Sequence, residues 1–106
     1  MAGSCTVSTN EQTPFNVLFN TYRLRAGFET LGEFGDSLAE EGFVYEESIF
    51  SRWKQGNRTP KSRRILLAII KVFLKRNALT TVEEANEFFY SVGMRGLVWE
   101  EVKQLL

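Results

Sequence analysis

With 106 residues, 43% of them hydrophobic and fourteen aromatic (nine Phe, three Tyr, two Trp), the chain has the material for one domain around one apolar core, which excludes a disordered polymer. A single cysteine, Cys5, and no histidine exclude an intramolecular disulfide, a cysteine cage for a metal and the usual nucleophile–base pairs. Formal charge is zero, yet residues 1–50 carry −6, residues 51–76 carry +9 without one acid, and residues 77–106 carry −3.

From these bounds no enzymatic activity, no catalytic residue, no metal and no cofactor are expected, and the lone thiol fits a reducing, cytoplasmic setting. Met1 to Thr13 has neither the basic start nor the apolar stretch of a secretory signal. The longest apolar run, Ile65 to Ile70, is far short of the roughly 20 residues that a bilayer helix needs, so no membrane partner is expected.

Residues 1–12 are small and polar and read as a disordered leader. Thr13-Pro14 then reads as an N-cap followed by proline at the first helical position, with Phe15, Leu18, Phe19 and Tyr22 at i, i+3, i+4 and i+7. This first helix should run to about Ala26 and stop at Gly27. Thr30-Leu31-Gly32-Glu33 has the spacing of a capping box and opens a second helix, with Leu31, Phe34, Leu38 and Ala39 on its apolar side and Gly42 as its stop.

Glu46 to Gln55 forms a short third helix whose two sides differ: Ile49, Phe50 and Trp53 face one way, while Ser48, Ser51, Arg52 and Gln55 face the other. Gly56 ends it. Thr59-Pro60 repeats the cap-plus-proline signal and predicts a fourth helix from there to about Arg76, with Ile65, Leu66, Ile69, Val72 and Phe73 inward and Lys61, Arg64, Lys71 and Lys75 outward. Thr81 and Glu84 form a second capping box for a fifth helix carrying Ala85, Phe88, Phe89 and Val92 and stopping at Gly93. Val98, Val102 and Leu105 place a sixth helix over 98–106. No alternating β-branched run argues for a sheet, so the class is all-α, with five to six helices.

Two short helices joined by a tight segment at Gly42 are followed by Trp53-Lys54-Gln55-Gly56-Asn57-Arg58-Thr59-Pro60. On the stretch Ser48 to Pro60, residues 15–76 resemble the Cro and lambda-repressor-like (Xre-like) helix-turn-helix domains of bacterial and phage regulators. The resemblance implies a compact domain over 13–76 that places its third helix in the major groove of double-stranded DNA, as a sequence-specific transcriptional regulator. By position, Phe50 and Trp53 match buried residues of the recognition helix, and Ser48, Ser51 and Arg52 match positions that face DNA.

The helical phasing independently adds Gln55 to the base-reading set, in which Arg52 is the main candidate because its fork can donate to guanine O6 and N7 together. Asn57, Arg58, Lys61 and Arg63, with Lys54 beside them, fall where the family meets phosphates, contacts that position without specifying. Residues 84–93 resemble the tail that follows this domain in some bacterial regulators, including multidomain signalling NTPases. That implies a helical extension over 77–106, packed on the domain and serving a homodimer or a further domain. The alternative class is a protein–protein interaction module, as the N-terminal part of a larger bacterial signalling protein, motivated by Glu46 and Glu47 at the start of the third helix and by the apolar end Leu105-Leu106.

Overall fold

The computed structural model describes residues 13–105. The apolar spacing of the first segment is realised in α1 (Phe15–Arg25), which buries Phe15, Leu18, Phe19 and Tyr22. It begins one residue later than the cap signal implied: Pro14 itself is the N-cap, and its carbonyl accepts from the amides of Val17 (3.1 Å) and Leu18 (3.2 Å). Proline offers no side-chain acceptor, so this end has no side-chain cap.

α2 (Leu31–Glu40) starts in the capping box expected of Thr30 and Glu33 and buries Phe34 and Leu38. α3 (Glu47–Gln55) follows a six-residue turn and ends at Gly56, whose φ of 84° is a left-handed value natural to glycine. α4 (Arg63–Lys75) is the longest helix, α5 (Val82–Ser91) starts in the second capping box, Thr81 with Glu84, and α6 (Trp99–Leu105) completes the set. Six helices and no strand occur among the described residues, and none of the helices is long and apolar enough to cross a membrane. The proposed leader, Cys5 included, and Leu106 lie outside the described residues.

One expectation is overturned at α4. Thr59-Pro60 does not start the helix: Ser62 is the N-cap, its hydroxyl accepting from the Arg64 amide at 3.2 Å. Pro60 is buried instead and lines a groove with Tyr45, Ile49, Trp53 and Ile65. A proline ring removed from water by tertiary contact has no need to serve as a first helical residue, and Ser62 supplies the acceptor that Thr59 was expected to give.

α3 packs on α1 and α2, α4 on α2 and α5, and α5 returns to α1. Phe34 is the hub: its ring meets Phe19 (5.0 Å between centroids), Phe50 (5.3 Å), Phe73 (5.7 Å) and Phe28 (5.9 Å), joining α1, α2, α3 and α4. Phe88 of α5 enters the same cluster against Tyr22, Phe73 and Phe15, so the core runs without interruption past residue 76 into the C-terminal segment. Each such aromatic pair adds about 0.5–1.5 kcal/mol beyond its burial. α6 contributes no fully buried residue.

Candidate nucleic-acid interface

α3 is set by an apolar wedge. Phe50 and Trp53 are buried, their rings 5.3 Å apart, and Trp53 meets Phe15 (6.1 Å) and Phe19 (5.9 Å) of α1 edge-on. The approach to α2 is close: a Cβ at Gly35 would lie 2.9 Å from Cε2 of Phe50, so glycine is what lets the two helices meet there. At its C-terminal end α3 is tied to α1, because Asn20 Nδ2 donates to the Lys54 carbonyl at 3.2 Å and the Asn16 side chain lies against Gly56.

With that wedge inside, the opposite side of α3 is presented outward. Ser48, Arg52 and Gln55 are exposed and Ser51 is half-buried beside them. Gln55 Nε2 donates to Ser51 Oγ (3.4 Å), and Asn57 Nδ2 donates to Gln55 Oε1 (3.0 Å), a short chain of polar side chains along the face. Lys54, Asn57, Arg58 and Lys61 are exposed around the C-terminal end of the helix and the loop after it. Arg58, Lys61 and Ser62 border the groove that contains Pro60, which has a volume of about 190 Å³ and a floor of Tyr45, Ile49, Trp53 and Ile65.

The nine bases of residues 51–76 divide into two groups. Arg63 pairs with Glu101 (2.6 Å), Lys71 with Glu41 (3.5 Å), Lys75 also with Glu41, Arg64 faces the Phe43 ring (5.8 Å) and Arg76 stacks over Phe28 (4.4 Å). Hydrogen bonding from Lys75, with Lys71 nearby, holds Glu41 below the usual carboxylate range. Arg52, Lys54, Arg58 and Lys61 form no ion pair with any acid among the described residues. These four lie on α3 or within six residues of its end.

Arg63 therefore does not stand with the other expected phosphate contacts. Its guanidinium is turned to the C-terminal segment, where two carboxylate oxygens and two backbone carbonyls meet its fork. Its partner lies 38 residues away, beyond the reach of any local motif.

Three other participants are not visible in the local pattern. Asn16 and Asn20 sit four residues apart on α1 and buttress the end of α3; their one-turn spacing is the signal that could have found them. Tyr45 is 43% exposed, packs edge-on against Phe50 and Trp53, and lines the groove that Arg58 and Lys61 border. At the start of α3, Glu46 is exposed and the Glu47 carboxylate leans on the first turn of α2, with Oε1 3.4 Å from where a Gly32 Cβ would lie. There it faces the positive end of the α2 dipole.

No protein-family model, no curated protein and no solved structure matches this chain.

Proposed function

We propose that the chain binds double-stranded DNA sequence-specifically, as a transcriptional regulator of the lambda-repressor-like helix-turn-helix type, with α2 and α3 as the motif and α3 in the major groove. The division of the basic segment carries this reading: the five cations away from α3 are engaged by the protein's own acids and rings, whereas the four on and after α3 are left for an external anion. A basic rim beside a polar, outward helix face is what a duplex requires, cations for phosphates and hydrogen-bonding side chains for base edges. Arg52 reads a base; Ser48, Ser51 and Gln55 assist; Lys54, Asn57, Arg58 and Lys61 hold the backbone.

Fluorescence anisotropy with labelled duplexes across a salt series tests this. Log affinity should fall linearly with log salt, by about 0.9 for each phosphate neutralised. Arg52→Ala should cost about 1–3 kcal/mol on the preferred site and much less on random duplex, while Lys61→Ala should weaken both alike. A folded sample that binds no duplex at low salt overturns the proposal.

The second reading is a protein-interaction module, favoured by the exposed Glu46 and by Val44, 82% exposed in the turn ahead of α3. Acids at that position repel phosphates but suit a basic partner. Charge reversal at Glu46 separates the two: Glu46→Lys should strengthen binding to a duplex and weaken binding to a basic protein surface.

A further inference from the structure

The first residue of α4 makes more polar contacts than any other side chain of the segment. Arg63 Nε donates to Glu101 Oε2 (2.6 Å), Nη2 donates to Glu101 Oε1 (2.8 Å) and to the Gly96 carbonyl (2.6 Å), and Nη1 donates to the Arg95 carbonyl (2.9 Å). Its plane lies 4.3 Å from the Phe89 ring centroid. The turn bearing those carbonyls is held in place by Asn86, whose Oδ1 accepts from the Leu97 amide at 2.8 Å, and it passes so close that a Cβ on Gly96 would lie 2.8 Å from the Asn86 side chain.

α6 is attached differently from the other helices. It has no fully buried residue, and its Val102 and Leu105, with Leu97 before it, only cover a shallow apolar groove walled by Ile70, Leu74, Leu79 and Ala85. The strongest directional tie between α6 and the rest is the paired bond of Glu101 with Arg63. A carboxylate gripping a guanidinium with two parallel bonds presents the same geometry as a phosphate does. Arg63 also follows Lys61 and Ser62 directly, at the edge of the basic rim.

Resting on the DNA-binding reading above, we infer that Glu101 is an intramolecular stand-in for a DNA phosphate. While α6 is docked, its carboxylate occupies Arg63 and withholds one cation from the duplex. A backbone phosphate arriving beside Lys61 competes for the same fork, and winning it undocks α6 and uncovers the apolar groove. C-terminal docking and DNA binding are then coupled with opposite sign, an autoinhibitory contact. Hydrogen bonding from Arg63 holds the Glu101 carboxyl down to about 2, so protons do not open the contact near neutrality and a competing anion must.

The test compares the wild-type chain with Glu101→Gln, Glu101→Ala, Arg63→Ala and the Arg63→Ala/Glu101→Gln pair. The readouts are duplex anisotropy over a salt series, hydrogen exchange of residues 99–105, and circular dichroism as the control for folding. Both Glu101 variants should bind duplex more tightly, by up to about fivefold for an ion pair so near the surface. Their salt slope should be steeper by about 0.9, one added phosphate contact. Removing Arg63 should abolish that gain, so that Arg63→Ala and the double variant bind alike. In the wild-type chain, added duplex should speed exchange across 99–105. Wild-type binding with no gain in either Glu101 variant overturns the inference and leaves the DNA reading intact. Absence of duplex binding in all five proteins overturns both.

Discussion

α3 and α6 are both short helices at the surface, yet they are held by opposite means. α3 inserts Phe50 and Trp53 into a cluster of rings contributed by α1 and α2, and its attachment is burial, which has no preferred direction and tolerates no missing volume. α6 buries nothing fully: it hangs on one bidentate ion pair and the shallow apolar contact of Val102 and Leu105, with two carbonyl contacts on the turn before it. Such a tie is directional, sits within reach of solvent and responds to a competing charge. A helix that must present side chains in a fixed pose needs the first kind of attachment; one that reports on charge needs the second.

The largest effect comes from breaking the α3 side. Trp53→Ala should destabilise the domain by about 3–5 kcal/mol, read as a lowered midpoint in chemical denaturation. An unchanged midpoint would mean that the indole is not part of the core. Overpacking the same side should cost less: Gly35→Ala sets a methyl 2.9 Å from the Phe50 ring, and the shift needed to admit it should cost about 1–3 kcal/mol while leaving helical content intact. If Gly35→Ala matched the wild type in stability, α2 and α3 would be less closely packed than described.

The smallest effect on global stability lies on the α6 side and depends on pH. The Glu101 carboxyl is held down from its ordinary 4.5 to about 2 in the folded chain, chiefly by Arg63 and then by the Val98 amide. Because the folded value is the lower one, its stabilisation is complete above about pH 4.5 and is lost as pH falls towards 2. Glu41 and Glu84 are shifted in the same direction, Glu41 by Lys75 and Glu84 by the amides of Thr80 and Thr81, so a local probe is required. The indole resonance of Trp99, on α6 and 67% exposed, should move over that acidic window in the wild type and lose most of that movement in Arg63→Ala. The same titration in both proteins would detach Glu101 from Arg63.

Much of the helix pattern was legible along the chain, because helix ends are decided by a few adjacent backbone groups. The two capping boxes, Thr30 with Glu33 and Thr81 with Glu84, formed as their spacing implied, and the Gly56 stop took the left-handed backbone. So did the two-sided character of α3, since residues three and four apart share a helix face whatever surrounds them: Phe50 and Trp53 went inside, and Ser48, Arg52 and Gln55 stayed out.

What the chain order could not reveal was who meets whom across it. Pro60 carries a helix-start signal, but burial beside Ile65 moved the start of α4 to Ser62. Arg23 carries no local mark of burial, yet folding buries it, with Nη1 donating to the Phe28 carbonyl at 2.8 Å. Above all, the nine bases of residues 51–76 follow one another without an acid, and nothing within the run tells which of them the protein itself engages. Only the packing of α4 against α2, α5 and α6 neutralised part of that run with Glu41 and Glu101, from 30 to 38 residues away in sequence, and set the remainder apart around α3. Local hydrogen bonding and helical periodicity act over about four residues and are written in the sequence. Charge pairing and ring packing depend on positions in space, and these exist only once the helices have docked.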